Sequence, residues 1–512
     1  MKKTNIADYI LGGIFFLYIA IFVYINISPA KIGMSSDTAN IGIVSKIFWE
    51  NGSIAPSNFI SYTESGVFSL STIGMWVYGF TKNIWYAQCI PLVVIMPLLL
   101  WSMFYMIKAD PDINRTESLF LGCMVLALLP GWYQQYVTFL SLAAYSLCLL
   151  NMFWLMGDFF RLLSGKLRHK WLHLGIQICM AFLQGLEGSR GVLMIYTPFG
   201  LLILYRYFVG MLQKKKLWLK EELIYLVCAG ILWSASYFAT YLPWSVRTHL
   251  QISRHGIWER FSQWVLPAIC NELGFNSGTN LLLAIIIAIF LIIAVIALIW
   301  ILLKYRLEDP IENGILFFTI SVALTTFMCS VQVTGEVSQR YFILLFYFIA
   351  LGTIYFVRLV KKKVVWWGMT ACLILHAIVN LFVTYIPLVE QGLDFSREGE
   401  QYEIIDWMVE RGYYYGYADY PDANNMTILA EEAVRIASVT PQNMQMCRFV
   451  TDTRWYMPTM TEDMDTVYIL RKSNMEQIDP DILREMEAEI LECFETENYF
   501  VYVLGKNFSS VQ

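Results

Sequence analysis

The chain has 512 residues, of which 57% are hydrophobic and only 15% charged, with a formal net charge of −5. Soluble domains carry closer to a quarter charged residues, so composition excludes a water-soluble globular protein. It indicates a mainly α, polytopic transmembrane bundle in the cell membrane, with no nucleic-acid partner.

In chain order, apolar runs of the length that crosses a hydrocarbon core predict about eleven spans. They are Tyr9–Ile27, Trp85–Ile107, Ser118–Trp132, Gln134–Met156, Trp171–Leu186, Gly191–Met211, Glu222–Leu242, Asn280–Leu303, Asn313–Val333, Tyr341–Leu359 and Val364–Pro387. The first begins "MKKTNIADYILGG" and could pass for a signal peptide. Its apolar run is too long for an h-region and no A-x-A-like site follows, so it reads as a retained helix. Basic residues fix a sidedness. With the N-terminus inside, the cytoplasmic positions hold 19 Lys/Arg, against eight on the opposite face before residue 388. The expected topology is therefore N-terminus cytoplasmic and C-terminus extracytoplasmic.

Between the first two spans, "SSDTANIGIVSKIFWENGSIAPS" places Ile41, Val44, Ile47 and Phe48 at helical spacing behind a possible cap at Ser35 or Ser36. This predicts an interfacial helix with Asp37 in its first turn, at headgroup depth. The following "GVFSLSTIGMWVYGFTKN" reads as a second interfacial or re-entrant segment, too short to span. From Val389 the composition changes: residues 389–512 hold 24 Asp/Glu against nine Lys/Arg. The expected division is a membrane domain over 1–388 and a small extracytoplasmic α/β domain over 389–512. In the latter, "QYEIIDWMVERG" and "DILREMEAEILECF" have helical periodicity, while "NNMTILAEEAVRIASVT", "DTVYILRK" and "NYFVYVLGK" look strand-like.

The ten cysteines are scattered singly with no CxxC, which gives no metal or redox signature. No cofactor is expected, and a divalent cation is left open. Ionisable residues outside the cytoplasmic positions gather on one face: Asp37, Glu64, Glu187, Arg190, Arg247, Arg254, Glu259, Arg260, Glu336 and Arg340. No ionisable residue is expected clearly at the centre of a span, where the carboxylates of ion-coupled transporters sit.

The order "DTA…WENG…YTESGVF" through "YGFTKNIWYAQ", with the later "GSRG", "YTP" and "QRYF" segments, resembles the GT-C class of integral-membrane glycosyltransferases. Protein O-mannosyltransferases and aminoarabinose transferases belong to this class. The resemblance covers most of the chain in layout, and the stretch "YGYADYPDANNMTILAEEAVRIASV" looks like an appended domain of bacterial membrane proteins of this type. One departure is that Asp37 is followed by Thr38, where many members carry an Asp-Glu pair. The resemblance implies transfer of a sugar from a polyprenyl-phosphate-linked donor to an extracytoplasmic acceptor in the cell envelope, with membrane lipids as surroundings. The rival reading is a lipid or polysaccharide transporter, or a non-catalytic polymer-binding membrane protein.

Such chemistry needs a base at headgroup depth and a clamp for the departing phosphate. Asp37 fits the base and Arg340 or Arg190 the clamp, with Glu64, Glu187, Arg247 and Arg254 as substrate contacts. Each has a plainer counterpart. Asp37 is favourable at any helix N-terminus, and Glu64 could be structural. Glu187 and Arg190 could form a local ion pair. Arg340 could snorkel at a span end, and Arg247 and Arg254, with Arg260, could serve lipid headgroups or dock the acidic C-terminal domain.

Overall fold

The computed structural model describes residues 6–28, 31, 34, 36–61, 68–127, 143–187, 191–214, 220–239, 241, 256–276, 278–332, 337–393, 397–456 and 465–509. Among these, nine helices are long and apolar enough to cross a membrane, from Ile6–Ile27 to Lys363–Gln391. Two shorter helices, Arg115–Ala127 and Lys170–Leu186, lie where the third and fifth spans are expected. The protein is a multi-pass, mainly helical membrane protein with a small C-terminal sheet region. Its described residues form two compact units. One comprises Met1–Ile25, Ile95–Phe238 and His249–Glu390, the other Asn26–Val94, Ala239–Thr248 and Gln391–Gln512.

In the first unit, charged side chains near helix ends are answered within the bundle. Arg358 bonds Glu117 through Nε and Nη2 and Asp110 through Nη1, while fully buried Arg206 meets Glu222 and Asn313. One expectation fails here. His376 lies near the middle of the Lys363–Gln391 segment and is fully buried, so an ionisable side chain does occupy the centre of a span. A lone histidine among apolar neighbours carries no periodic signature, which is why the pattern passed over it.

The second unit joins the first extramembrane segment to the C-terminal residues. The helix Ser36–Asn51 forms where expected, and Ile41, Val44, Ile47 and Phe48 are buried. Ile43, Ser45 and Lys46 on its other face are buried as well. The helix Tyr420–Leu429 packs against it, so it is not an amphipathic helix with a solvated side. The neighbouring helix Leu70–Thr81 approaches so closely that a Cβ on Gly74 would stand 2.1 Å from Ser45 Oγ. The Ser45 hydroxyl already shares its one proton between the Ile41 and Ser71 carbonyls. Opposite that contact, Ile73, Trp76 and Phe80 form an exposed apolar stripe, as an interfacial helix would present.

The C-terminal sheet comprises β2 (Tyr415–Asp419), β3 (Arg435–Val439), β5 (Thr466–Arg471), β6 (Ile490–Glu495) and β7 (Tyr499–Leu504), in the order β3-β2-β5-β7-β6. Strands β3, β2 and β5 are parallel, whereas β7 and β6 add antiparallel. A two-residue pair, β1 (Phe59–Ile60) with β4 (Thr451–Asp452), ties the first extramembrane segment to the C-terminal residues. The helix Glu400–Arg411 and strands β5 and β7 fall on the predicted runs.

Two readings are corrected. "NNMTIL" is helical, within Tyr420–Leu429, and the strand begins only at Arg435. Pro421 sets the helical start, and burial from Asp422 to Leu429 removes the polar face that periodicity relies on. "LECF" is strand β6, while the helix before it ends at Ala488. Burial along β6 alternates residue by residue, the period of a strand with one covered face.

Candidate functional site

Asp37 lies in the first turn of Ser36–Asn51, where the helix dipole favours a carboxylate. It is half-buried, and the Tyr420 hydroxyl donates to its Oδ1 at 3.3 Å. One turn on, Asn40 Nδ2 donates to the Tyr420 hydroxyl at 3.2 Å, and Asn424 Nδ2 donates to Asn40 Oδ1 at 3.3 Å. Burial, and after it the neighbouring Asp37 carboxylate, raise the Tyr420 phenol above its ordinary range. Tyr420 therefore stays protonated and acts as a donor, orienting the carboxylate without taking its proton.

The same unit holds two lysines that the sequence reading counts only among the eight charges of the face opposite the N-terminus. Buried Lys46 pairs with Glu432 at 2.5 Å and Glu50 at 3.2 Å, and lies 3.3 Å from the Tyr78 hydroxyl. Burial alone would lower its pKa, but the two carboxylates outweigh burial and raise it. Lys31, also buried, donates to the Leu429 carbonyl at 3.1 Å and to Glu431 at 2.8 Å. Its hydrogen bond is the main reason the Glu431 carboxyl is held below its usual range. The signal that could have found these pairs is charge complementarity. Lys31, Lys46 and Lys82 are the lysines of the segment between the first two spans, and the C-terminal residues carry a large acidic excess.

A second polar group sits at the end of the sheet. Asp422, fully buried, accepts from Arg471 Nε and Nη2 at 2.6 and 2.7 Å, and from the Tyr499 hydroxyl and Gln401 Nε2, both at 3.0 Å. Beside it, Asp419 is pushed up to about 7, first by burial and then by the Asp422 carboxylate. A carboxyl raised from its unfolded value of 3.8 keeps a proton in the folded state that the unfolded chain has lost. Its contribution is present in full below that value and disappears as pH rises through about 7. Thermal unfolding followed from pH 4 to 8 should therefore show a smaller decline for Asp419→Asn than for the unmodified protein. Parallel declines would assign the proton elsewhere.

The remaining expected site residues divide clearly. Glu187 is half-exposed at the C-terminal end of Lys170–Leu186, and Arg340 lies in the short turn Gln339–Phe342 that opens a span. The helix Leu266–Glu272 packs against that turn. It carries Glu272, a fully buried carboxyl pushed up to about 8 by burial, which the sequence reading did not single out. Arg260, one of the three arginines considered for docking, donates to the Val331 and Gln332 carbonyls. Glu64, Arg190, Arg247 and Arg254 lie outside the described residues, as do His249, His255 and Glu336. Among the described residues no three His, Cys, Asp or Glu side chains gather as metal ligands.

No family model matches the chain, and no curated protein is significantly similar to it in sequence. Solved structures do match. One is ArnT from Cupriavidus metallidurans bound to undecaprenyl phosphate, with a TM-score of 0.51 at 12% identity over 97% of this chain and 99% of that one. The likeness is one of fold: over nearly its whole length this chain shares the architecture of that structure.

Proposed function

We propose that the protein transfers a sugar from a polyprenyl-phosphate-linked donor to an extracytoplasmic acceptor of the cell envelope. The observation that carries this reading is Asp37. It is a half-buried, tyrosine-oriented carboxylate in the first turn of the first extramembrane helix, within a fold whose solved counterpart holds undecaprenyl phosphate. In the reaction the acceptor oxygen attacks the anomeric carbon as the bond from that carbon to the phosphate oxygen breaks. Asp37 takes the acceptor's proton, and the lipid phosphate leaves with the bonding electrons. Arg340 or Arg190 offers a planar fork to the phosphate, and Glu64, Glu187, Arg247 and Arg254 contact the substrates.

The topology that goes with this chemistry puts the N-terminus in the cytoplasm, the membrane domain at 1–388 and the acidic domain at 389–512 outside. Protease added to intact cells should cleave the C-terminal region, whereas complete protection would reverse the sidedness. Native mass spectrometry of the purified protein with added polyprenyl phosphate tests the clamp. Arg340→Ala should weaken retention by roughly 10- to 100-fold, the range of a charge-assisted hydrogen-bonded contact, and Arg340→Lys by less. Unchanged retention in both variants would remove Arg340 from that role.

A further inference from the structure

The connection from β2 runs through Tyr420–Leu429 to β3 on one side, and the chain then crosses to β5 on the other side of β2. Strand order thus reverses between β2 and β5, and open α/β sheets take their ligands outside the carboxyl ends of such a pair. Asp419 ends β2 and Arg471 ends β5. Arg471 lines a cavity of about 590 Å³ at this edge, together with Gln401, Asn425, Asn498 and Tyr499, and that volume is in the range of small-molecule sites.

The lining is organised before anything binds. Arg471, Tyr499 and Gln401 converge on Asp422, and Asn425 Nδ2 donates to Gln401 Oε1 at 2.9 Å. Asn425 is only 6% exposed, yet its Oδ1 has no hydrogen-bond partner among the described residues. A buried carbonyl oxygen without a donor calls for water or a ligand hydroxyl. The charges select the ligand class. Lys31 and Arg471 are the cations of the lining and are already answered by Glu431 and Asp422, while Glu398 and Glu400 add further negative charge. An anion would meet more carboxylates than free cations, whereas a chain of hydroxyls meets amide donors and acceptors, carboxylate acceptors and the Tyr402 and Tyr499 rings. Met34 also lines the cavity, three positions before Asp37, and receives the Thr38 hydroxyl on its sulfur at 3.6 Å.

We infer that this cavity is a glycan subsite that holds an uncharged or amino sugar of the acceptor. That the glycan is an acceptor rests on the transfer reading, but its binding does not. The test is saturation-transfer NMR on the full chain in nanodiscs. The probes are methyl glycosides of glucose, galactose, N-acetylglucosamine and glucosamine, with glucuronate and inorganic phosphate as anionic probes. At least one neutral or amino glycoside should receive saturation and the anions should not. Ser473→Trp, an exposed position on the cavity wall, should abolish the signal without unfolding the protein. Asn425→Leu should weaken it by about tenfold, the loss of one buried hydrogen bond. Absence of signal from every glycoside, a signal from the anions alone, or a glycoside signal indifferent to Ser473→Trp would each overturn the subsite and leave a water-filled cavity. Glycoside binding without any turnover of a lipid-linked sugar would instead sink the transfer reading and leave the subsite standing. Turnover without glycoside binding would do the reverse.

Discussion

Asparagine at position 37 is expected to slow sugar transfer by a factor of roughly 100 to 10,000, the usual loss on removing a general base, while the protein folds normally. The amide matches the carboxylate in size and keeps an oxygen for the Tyr420 hydroxyl, which now donates to Asp37 Oδ1. Its structural cost is the interaction of a charge with the helix dipole, about 0.3–1 kcal/mol near the surface. The two effects are separable because they act on different observables. Turnover of a polyprenyl-phosphate-linked sugar should collapse, while the thermal midpoint moves little. Asp37→Ala should lose activity as fully and stability somewhat more, since it also removes the nearer of the two acceptors that face the Tyr420 hydroxyl. An Asp37→Asn protein with undiminished turnover would eliminate Asp37 as the base, whatever else the fold does.

Methionine at position 46 should produce a large loss of stability in the second unit. Lys46 is 4% exposed and faces Glu432 and Glu50, whose side chains are 22% and 28% exposed. Methionine fills much of the same volume but takes from Glu432 the cation it pairs with, and leaves Glu50 only its longer contacts to arginine. Removing one partner of a buried ion pair costs about 3–5 kcal/mol. The partial exposure of these carboxylates, with Arg435 and Arg454 3.7 and 3.6 Å from Glu50, puts the expected loss near the lower end, about 3 kcal/mol. Adding Glu432→Gln should recover part of that loss by removing the stranded charge. Denaturant unfolding of the single and double variants measures this coupling. A single variant as stable as the unmodified protein would show that the ion pair holds nothing together.

These two residues also show how far the sequence could be read. The helix carrying both was legible because Ile41, Val44, Ile47 and Phe48 recur at helical spacing, and all four are buried. What periodicity could not report is the second cover on that helix. It comes from Tyr420–Leu429, nearly 400 positions away, and just beyond that helix Glu432 meets Lys46, which is buried. The same tertiary cover hid the helical character of "NNMTIL", whose residues are apolar and polar on every side yet buried throughout. In the β6 region the helical pattern of "DILREMEA" runs on into "LECF", and only the alternating burial imposed by β7 separates strand from helix. The spans were legible as length and apolarity. His376 was missed because a single polar residue does not disturb either measure.

Of the site itself, Asp37 could be picked out because a carboxylate just after the first span is expensive unless it is used or paired. Tyr420, which orients it, and Lys31 and Lys46, which hold Leu429–Glu432 against the first extramembrane segment, become visible only when two distant stretches meet in one compact unit. Glu272 escaped for the same reason: nothing local distinguishes a carboxylate that will be fully buried from one left in water.

The most direct test of the account follows a sugar labelled at its anomeric carbon, presented on a polyprenyl phosphate to the purified protein in nanodiscs with an extracytoplasmic glycan fraction as acceptor. The account predicts that the label moves to the acceptor, that intact polyprenyl phosphate is released in equal amount, and that Asp37→Asn suppresses both together. Donor that stays unconsumed under these conditions, or label that crosses the membrane still attached to its lipid, would contradict glycosyl transfer as the activity of this protein.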